Sequence, residues 1–119
     1  MIIYGIPNCT TVKKTLTWLN DQKISHEFHN FRKQGLSAEK LQSWFDFGNW
    51  EILLNKRSTA WRHLSDQEKN NLNAEIAFKL MLENPTLIKR PVSEHNNLIH
   101  VGFNDKNYQL FIETCQLEI

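Results

Sequence analysis

Nucleophilic sulfur occurs twice in this chain, at Cys9 and Cys115. Two thiols are too few for a disulfide scaffold, and they lack metal-ligand spacing, so any reactivity must come from their positions. Cys9 stands in Pro7-Asn8-Cys9-Thr10-Thr11-Val12, directly after an apolar segment and inside the first turn of a helical pattern. There a cysteine faces unpaired backbone N–H groups and the positive end of a helix dipole, and both favour the thiolate. Lys13 and Lys14 follow within a turn and can add positive potential. The tetrapeptide Cys9-Thr10-Thr11-Val12 is not a C-x-x-C motif, so a disulfide formed at Cys9 has no adjacent thiol to resolve it. Cys115 shares the apolar face of a last helical pattern with Tyr108, Phe111 and Ile112, and reads as a packed thiol, with a resolving role as the alternative. Five histidines, His26, His29, His63, His95 and His100, are scattered without a Cys or carboxylate cluster, so no metal site is expected.

The elements that must position Cys9 follow from hydrophobic period and punctuation. Ile2-Ile3-Tyr4, ended by Gly5-Ile6-Pro7-Asn8, reads as a buried strand. Thr10 to about Asp21 then carries Val12, Leu16 and Leu19 at helical spacing, with Asn8 as the expected N-cap. A second strand is expected over His26–Phe31. Ser37 opens a helix with Leu41, Trp44 and Phe45 on one face and Gly48 as its stop. Trp50–Leu54 is a short piece. Ser65 and Glu68 form a capping-box signature, after which Leu72, Ile76, Leu80 and Met81 continue a helical stripe to Asn84-Pro85. Leu87-Ile88 and Leu98–Val101 read as strands joined across the polar run Ser93–Asn97, before the last helix. The order β-α-β, helices, β-β-α predicts an α/β domain with a mixed sheet and a helical insertion.

Several separated motifs, in order, resemble the arsenate reductase/Spx family, and its YffB-like branch of glutathione-dependent thiol reductases most of all. They are Ile3-Tyr4-Gly5-Ile6-Pro7-Asn8-Cys9-Thr10-Thr11-Val12-Lys13-Lys14, Gly48–Arg57, Thr59-Ala60-Trp61-Arg62, Ile88-Lys89-Arg90-Pro91 and Val101-Gly102-Phe103-Asn104. The resemblance covers nearly the whole chain. It implies a thioredoxin-like fold with a helical insertion over approximately residues 36–84, and glutathione as co-substrate. It also implies Cys9 as the nucleophile, Arg57 and Arg90 as arginines lining the active site, and Pro91 as a cis-proline facing the cysteine. Asn8 and Lys13 join the expected substrate- or glutathione-binding set. An arginine suits these roles because its planar fork stays charged and matches an oxyanion or carboxylate. The expected reaction runs from a Cys9 thiolate through a mixed disulfide that glutathione resolves. Its substrate would be a small thiol, disulfide or oxyanion.

Two departures bear on the alternatives within that family. Arsenate reductases carry a third arginine beyond the Arg-Pro motif, and no arginine follows Arg90 here. Spx-type regulators, adaptors that bind RNA polymerase, carry a C-x-x-C switch, and Val12 occupies the place of its second cysteine.

Bulk properties exclude other classes. The 119 residues suit one compact domain, and 14 Lys+Arg against 13 Asp+Glu leave a net charge of +1. That balance supplies no overall field for nucleic acid. The four tryptophans lack interleaved basic residues and read as packing. No apolar run approaches the ~18 residues of a membrane span, and the N-terminus lacks the pattern of a signal peptide. A cytoplasmic monomer is expected.

Overall fold

Ile2-Ile3-Tyr4, apolar and rich in β-formers, becomes strand β1 (Ile2–Gly5) in a computed structural model that describes residues 1–115. The chain divides into two compact units, Met1–Gln34 together with the stretch from Arg90 onward, and Gly35–Lys89. The first contains a four-stranded sheet of order β2-β1-β3-β4, with β2 Glu27–Asn30, β3 Val92–His95 and β4 Leu98–Val101. β1 pairs parallel with β2 and antiparallel with β3, so the sheet is mixed and β1 lies inside it. β3 and β4 form a hairpin whose two-residue turn, Asn96-Asn97, has φ of 46° and 66°. Asparagine tolerates this left-handed region better than most residues, which suits the twisted turn of a tight hairpin.

Helix α1 (Thr10–Asp21) connects β1 to β2, and α7 (Asp105–Thr114) follows β4. Ile3 of β1, Leu19 of α1, Ile24, and Tyr108, Phe111 and Ile112 of α7 form one buried cluster. Cys115 is partly buried against it, as its place on the apolar face of that pattern predicts.

Three local expectations are corrected. The polar run Ser93–Asn97 is not simply a connection: Ser93-Glu94-His95 lies in β3, while Leu87 ends a 3₁₀ turn (Pro85–Leu87) and Ile88 makes an isolated bridge with Leu54. Ser93 is fully buried, and its hydroxyl shares a 2.7 Å hydrogen bond with the Tyr108 hydroxyl. That partner removes the cost that makes a serine look wrong for an interior strand. The second strand is shorter than expected, because Phe31 is buried as the first residue of α2 (Phe31–Gln34). The third concerns the inserted unit. Ser65 caps α5 (Asp66–Asn70) with a complete capping box, but the stripe then breaks before α6 (Ala74–Glu83). Asn71 donates from its side-chain amide to the Gln67 carbonyl at 2.9 Å, and Asn73 accepts from the Ile76 N–H at 2.9 Å. Asparagine side chains compete with backbone partners in this way, so one helix ends and another is capped.

The inserted unit, Gly35–Lys89, also holds α3 (Ala38–Phe45), a 3₁₀ turn (Trp50–Leu53) and α4 (Thr59–Arg62). The Ser37 hydroxyl accepts from the Lys40 N–H at 3.1 Å as the cap of α3, which packs on α6. Leu41, Trp44, Leu53, Ala77, Met81, Leu87 and Ile88 are its most deeply buried apolar side chains.

The start of α1 is set by Gly5. A Cβ on Gly5 would stand 2.7 Å from Val12 Cγ2, and Val12 is fully buried with a β-branched side chain that cannot swing clear. Gly5→Ala is expected to destabilise the fold by about 1–3 kcal/mol through this overpacking. Denaturant unfolding measures the loss, and unchanged stability would show that the helix start can yield.

Candidate active site

Cys9, not Asn8, is the N-cap of α1. Its backbone is extended at φ −101° and ψ 124°, and its carbonyl accepts the Lys13 N–H at 3.0 Å. Asn8 is exposed and one residue too early, which corrects its expected capping role. The reason lies in the chain path: Pro7-Asn8 forms the turn out of β1, and the helical dihedrals begin only at Thr10.

An N-cap side chain ordinarily accepts from the backbone N–H of the second or third helical residue. For α1 those residues are Thr11 and Val12. The Cys9 sulfur makes no full cap hydrogen bond as a serine oxygen would, among the described residues, yet both N–H groups act on it as donors that favour its anion. No carboxylate occupies the first turn of α1 to oppose that field.

Arg90 supplies the cation. Its guanidinium hydrogen-bonds the Cys9 sulfur and adds a charge attraction, although 81 residues separate the two in sequence. Partial burial alone would push the Cys9 thiol up. The Val12 N–H, the Arg90 hydrogen bond, the Thr11 N–H and the Arg90 charge together outweigh it, and the pKa falls below the ordinary value.

Arg90 is aimed by the backbone that follows it. The Arg90–Pro91 peptide is cis, as the resemblance implies, and Pro91 is buried. Pro91 has no N–H to donate, while its carbonyl accepts the Gly102 N–H at 2.8 Å, so β3 pairing begins at Val92. Gly102 has φ +82°, a conformation natural to glycine at the end of β4.

Two other expected site residues, Lys13 and Arg57, are exposed. Lys13 is exposed on α1 and lines a shallow groove with Trp18 and Phe103. Arg57 is exposed in the inserted unit, where its N–H donates to Asn55 Oδ1 at 3.0 Å. It lines a cleft of about 690 Å³ with Lys56, Trp61, Lys69 and Lys89. Among the described residues no cluster of His, Cys, Asp and Glu could hold a metal ion. The unpaired helix-start amides expected to face Cys9 are those of Thr11 and Val12, which the position of Cys9 as N-cap names.

Cys115 behaves oppositely. Burial raises its pKa, and the N-terminal ammonium offsets this only in part. The neighbouring Tyr108 phenol is pushed up to about 12 by burial, with the Ser93 hydrogen bond lowering it and Cys115 raising it. The two thiols thus differ in kind: the surroundings of one lower its pKa, and burial of the other raises it.

A cysteine of lowered pKa at a helix start, beside an arginine that precedes a cis-proline on a mixed sheet, defines a thioredoxin-like α/β protein with a single-cysteine site. The chain belongs to the ArsC family, whose model matches residues 4–111. It is similar to the YffB protein, a solved structure with 37% identity and a TM-score of 0.86, covering 92% of this chain and 96% of that one. An arsenate reductase (ArsC) related protein from Brucella melitensis shares 40% identity with a TM-score of 0.76, over 94% of this chain and 93% of its own. An uncharacterized protein of Haemophilus influenzae is 49% identical over 108 residues, 90% of this chain and 94% of that one. The global transcriptional regulator Spx of Lactiplantibacillus plantarum is 27% identical over 94% of this chain and 86% of its own.

Two outcomes test this electrostatic picture. Serine is a far better N-cap than a neutral thiol, so Cys9→Ser is expected to raise stability by about 1 kcal/mol at pH 5. A depressed folded pKa stabilises the wild type above the unfolded value of ~8.5, and that stability is lost as pH falls through the folded value. The advantage of serine should therefore shrink from pH 5 to pH 9, as read by urea unfolding of both proteins. Separately, Arg90→Gln should move the midpoint of Cys9 alkylation by iodoacetamide towards higher pH. An unmoved midpoint would remove Arg90 from the site.

Proposed function

We propose that the chain is a monothiol oxidoreductase that reduces a disulfide-linked substrate at the expense of glutathione. The observation that supports this most directly is the Arg90 guanidinium on the Cys9 sulfur, with no second cysteine in the motif. The Cys9 thiolate attacks the glutathione-side sulfur of a mixed disulfide RS–SG. The S–S bond breaks, RS⁻ leaves with the electron pair and takes a proton from water, and Cys9–S–SG forms. A second glutathione, attacking as its thiolate, then displaces Cys9 as a thiolate and leaves oxidised glutathione. Each turnover consumes one glutathione and reduces one RS–SG.

In this reading Arg90 lowers the pKa of Cys9 both as attacking group and as leaving group, so it serves each half of the cycle. Arg57, Asn8, Lys13 and Pro91 take the substrate- and glutathione-binding roles that the family resemblance gives them. The chemistry needs no metal, and it suits a reducing cytoplasm where glutathione keeps thiols reduced. Arsenate reduction by the same thiolate is the weaker reading, since no arginine follows Arg90 to help hold the oxyanion. A partner-binding adaptor has the Spx likeness in its favour. Against a Spx-type redox switch stands Val12, fully buried at the third helical position.

The purified protein should reduce the mixed disulfide of glutathione and 2-mercaptoethanol in an assay coupled to glutathione reductase. Cys9→Ser should lower the rate by at least about 10²-fold. Undiminished turnover in that variant would sink the proposal. Absence of turnover in the wild type, with a specific captured macromolecule, would favour the adaptor.

A further inference from the structure

We propose that the cleft of the inserted unit is a binding site for a compact polyphosphate. Its wall carries Lys56, Arg57, Lys69 and Lys89 against a single carboxylate, Glu51, an excess of three positive charges in about 690 Å³. This is four of the 14 Lys+Arg of a chain whose net charge is only +1. The volume falls within the ~300–1,000 Å³ usual for small-ligand clefts.

The convergence is built by the backbone rather than left to flexible side chains. Leu54 and Ile88 form an antiparallel bridge, the Asn55 N–H donates to the Leu87 carbonyl at 2.7 Å, and the Lys89 N–H donates to the Leu53 carbonyl at 2.7 Å. These bonds fix Lys56 and Arg57 on one chain segment and Lys89 on the other. Lys69 comes from the last turn of α5. The Lys56 and Lys69 ammoniums lie 5.6 and 5.5 Å from the centroid of the same Trp61 ring. The ring attracts each cation, while the two cations repel each other. An anion bound in the cleft offsets that repulsion, and the Arg57 fork can grip two oxygens of one group.

Charge density selects the ligand. Three or four negative charges within a cleft of this size match a chain of phosphate groups. An acidic peptide reaches that charge only by spreading one carboxylate per residue over ~3.3–3.6 Å of backbone each. Cys9 does not line this cleft, and Arg57 is the one lining residue shared with the proposed glutathione-binding set, so the lysine variants test the cleft apart from the proposed reductase.

Isothermal titration of the full chain with inorganic tripolyphosphate and with ATP tests the assignment. Saturable one-to-one binding that weakens between 50 and 200 mM salt is expected for both probes. Lys56→Gln combined with Lys69→Gln should weaken it at least tenfold, and Cys9→Ser should leave it unchanged. Tighter binding of ATP would identify a nucleotide as the source of the phosphates, and equal affinity a free polyphosphate. Circular dichroism checks that the double variant is folded; if it is not, Lys89→Gln, exposed at the cleft wall, should show the same weakening. Absence of saturable binding, or unchanged affinity in a folded lysine variant, would overturn the proposal. Equal affinity for a tetraglutamate peptide would overturn the phosphate assignment in favour of an acidic protein segment.

Discussion

Val12 presses on Gly5 with no room for a methyl group between them, and the placement of the first turn of α1 depends on that contact. β1 is held from both sides, by β2 and by β3, so it cannot move to relieve pressure from the helix. The helix must start where Gly5 lets Val12 seat, and Cys9, three residues earlier, becomes the cap. The same β1–β3 pairing brings the Arg90-Pro91 turn to the end of the sheet at which α1 begins. Packing between two apolar elements thus determines which polar groups meet the sulfur.

A good N-cap residue would satisfy the amides of Thr11 and Val12 and make the helix start more stable. Cysteine does so fully only as its anion. The protein therefore carries a locally weak cap while Cys9 is protonated, and its surroundings extend the thiolate to lower pH than in a free cysteine. Cys115 shows the contrast within one chain. At the other end of α1's partner helix, α7, burial holds the thiol neutral, and packing against the core cluster is all its position asks of it.

Elements marked by strong period or punctuation were legible in the sequence: β1, α1, the Ser37 and Ser65 caps, Gly48 and the apolar face of α7. Strand β3, which follows the Arg90-Pro91 turn, was not. Ser93-Glu94-His95 has the composition of a loop, and only the Tyr108 hydroxyl, 15 residues on, makes a buried serine acceptable there. A hydrogen bond between distant residues leaves no local trace. The break between α5 and α6 was hidden for a different reason, since the apolar stripe continues in phase while the asparagines capture backbone groups. At the site, the nucleophile was readable from its turn-and-helix setting. The Arg90 partnership rested on family likeness, because nothing near Cys9 in the sequence announces a guanidinium from 81 residues away.

The sheet unit is interrupted by Gly35–Lys89, so its two halves leave the ribosome at different times. β1 and β2 emerge first and can pair, but the other edge of β1 has no β3 until the whole insertion has been made. At about 5–20 residues per second, that edge waits for several seconds. An apolar strand with an open edge is a template for unwanted pairing. The inserted unit, complete before β3 appears, is in a position to fold during that interval. Vectorial synthesis therefore makes the insertion the first full unit available to the nascent chain, and the Cys9–Arg90 pair among the last to form.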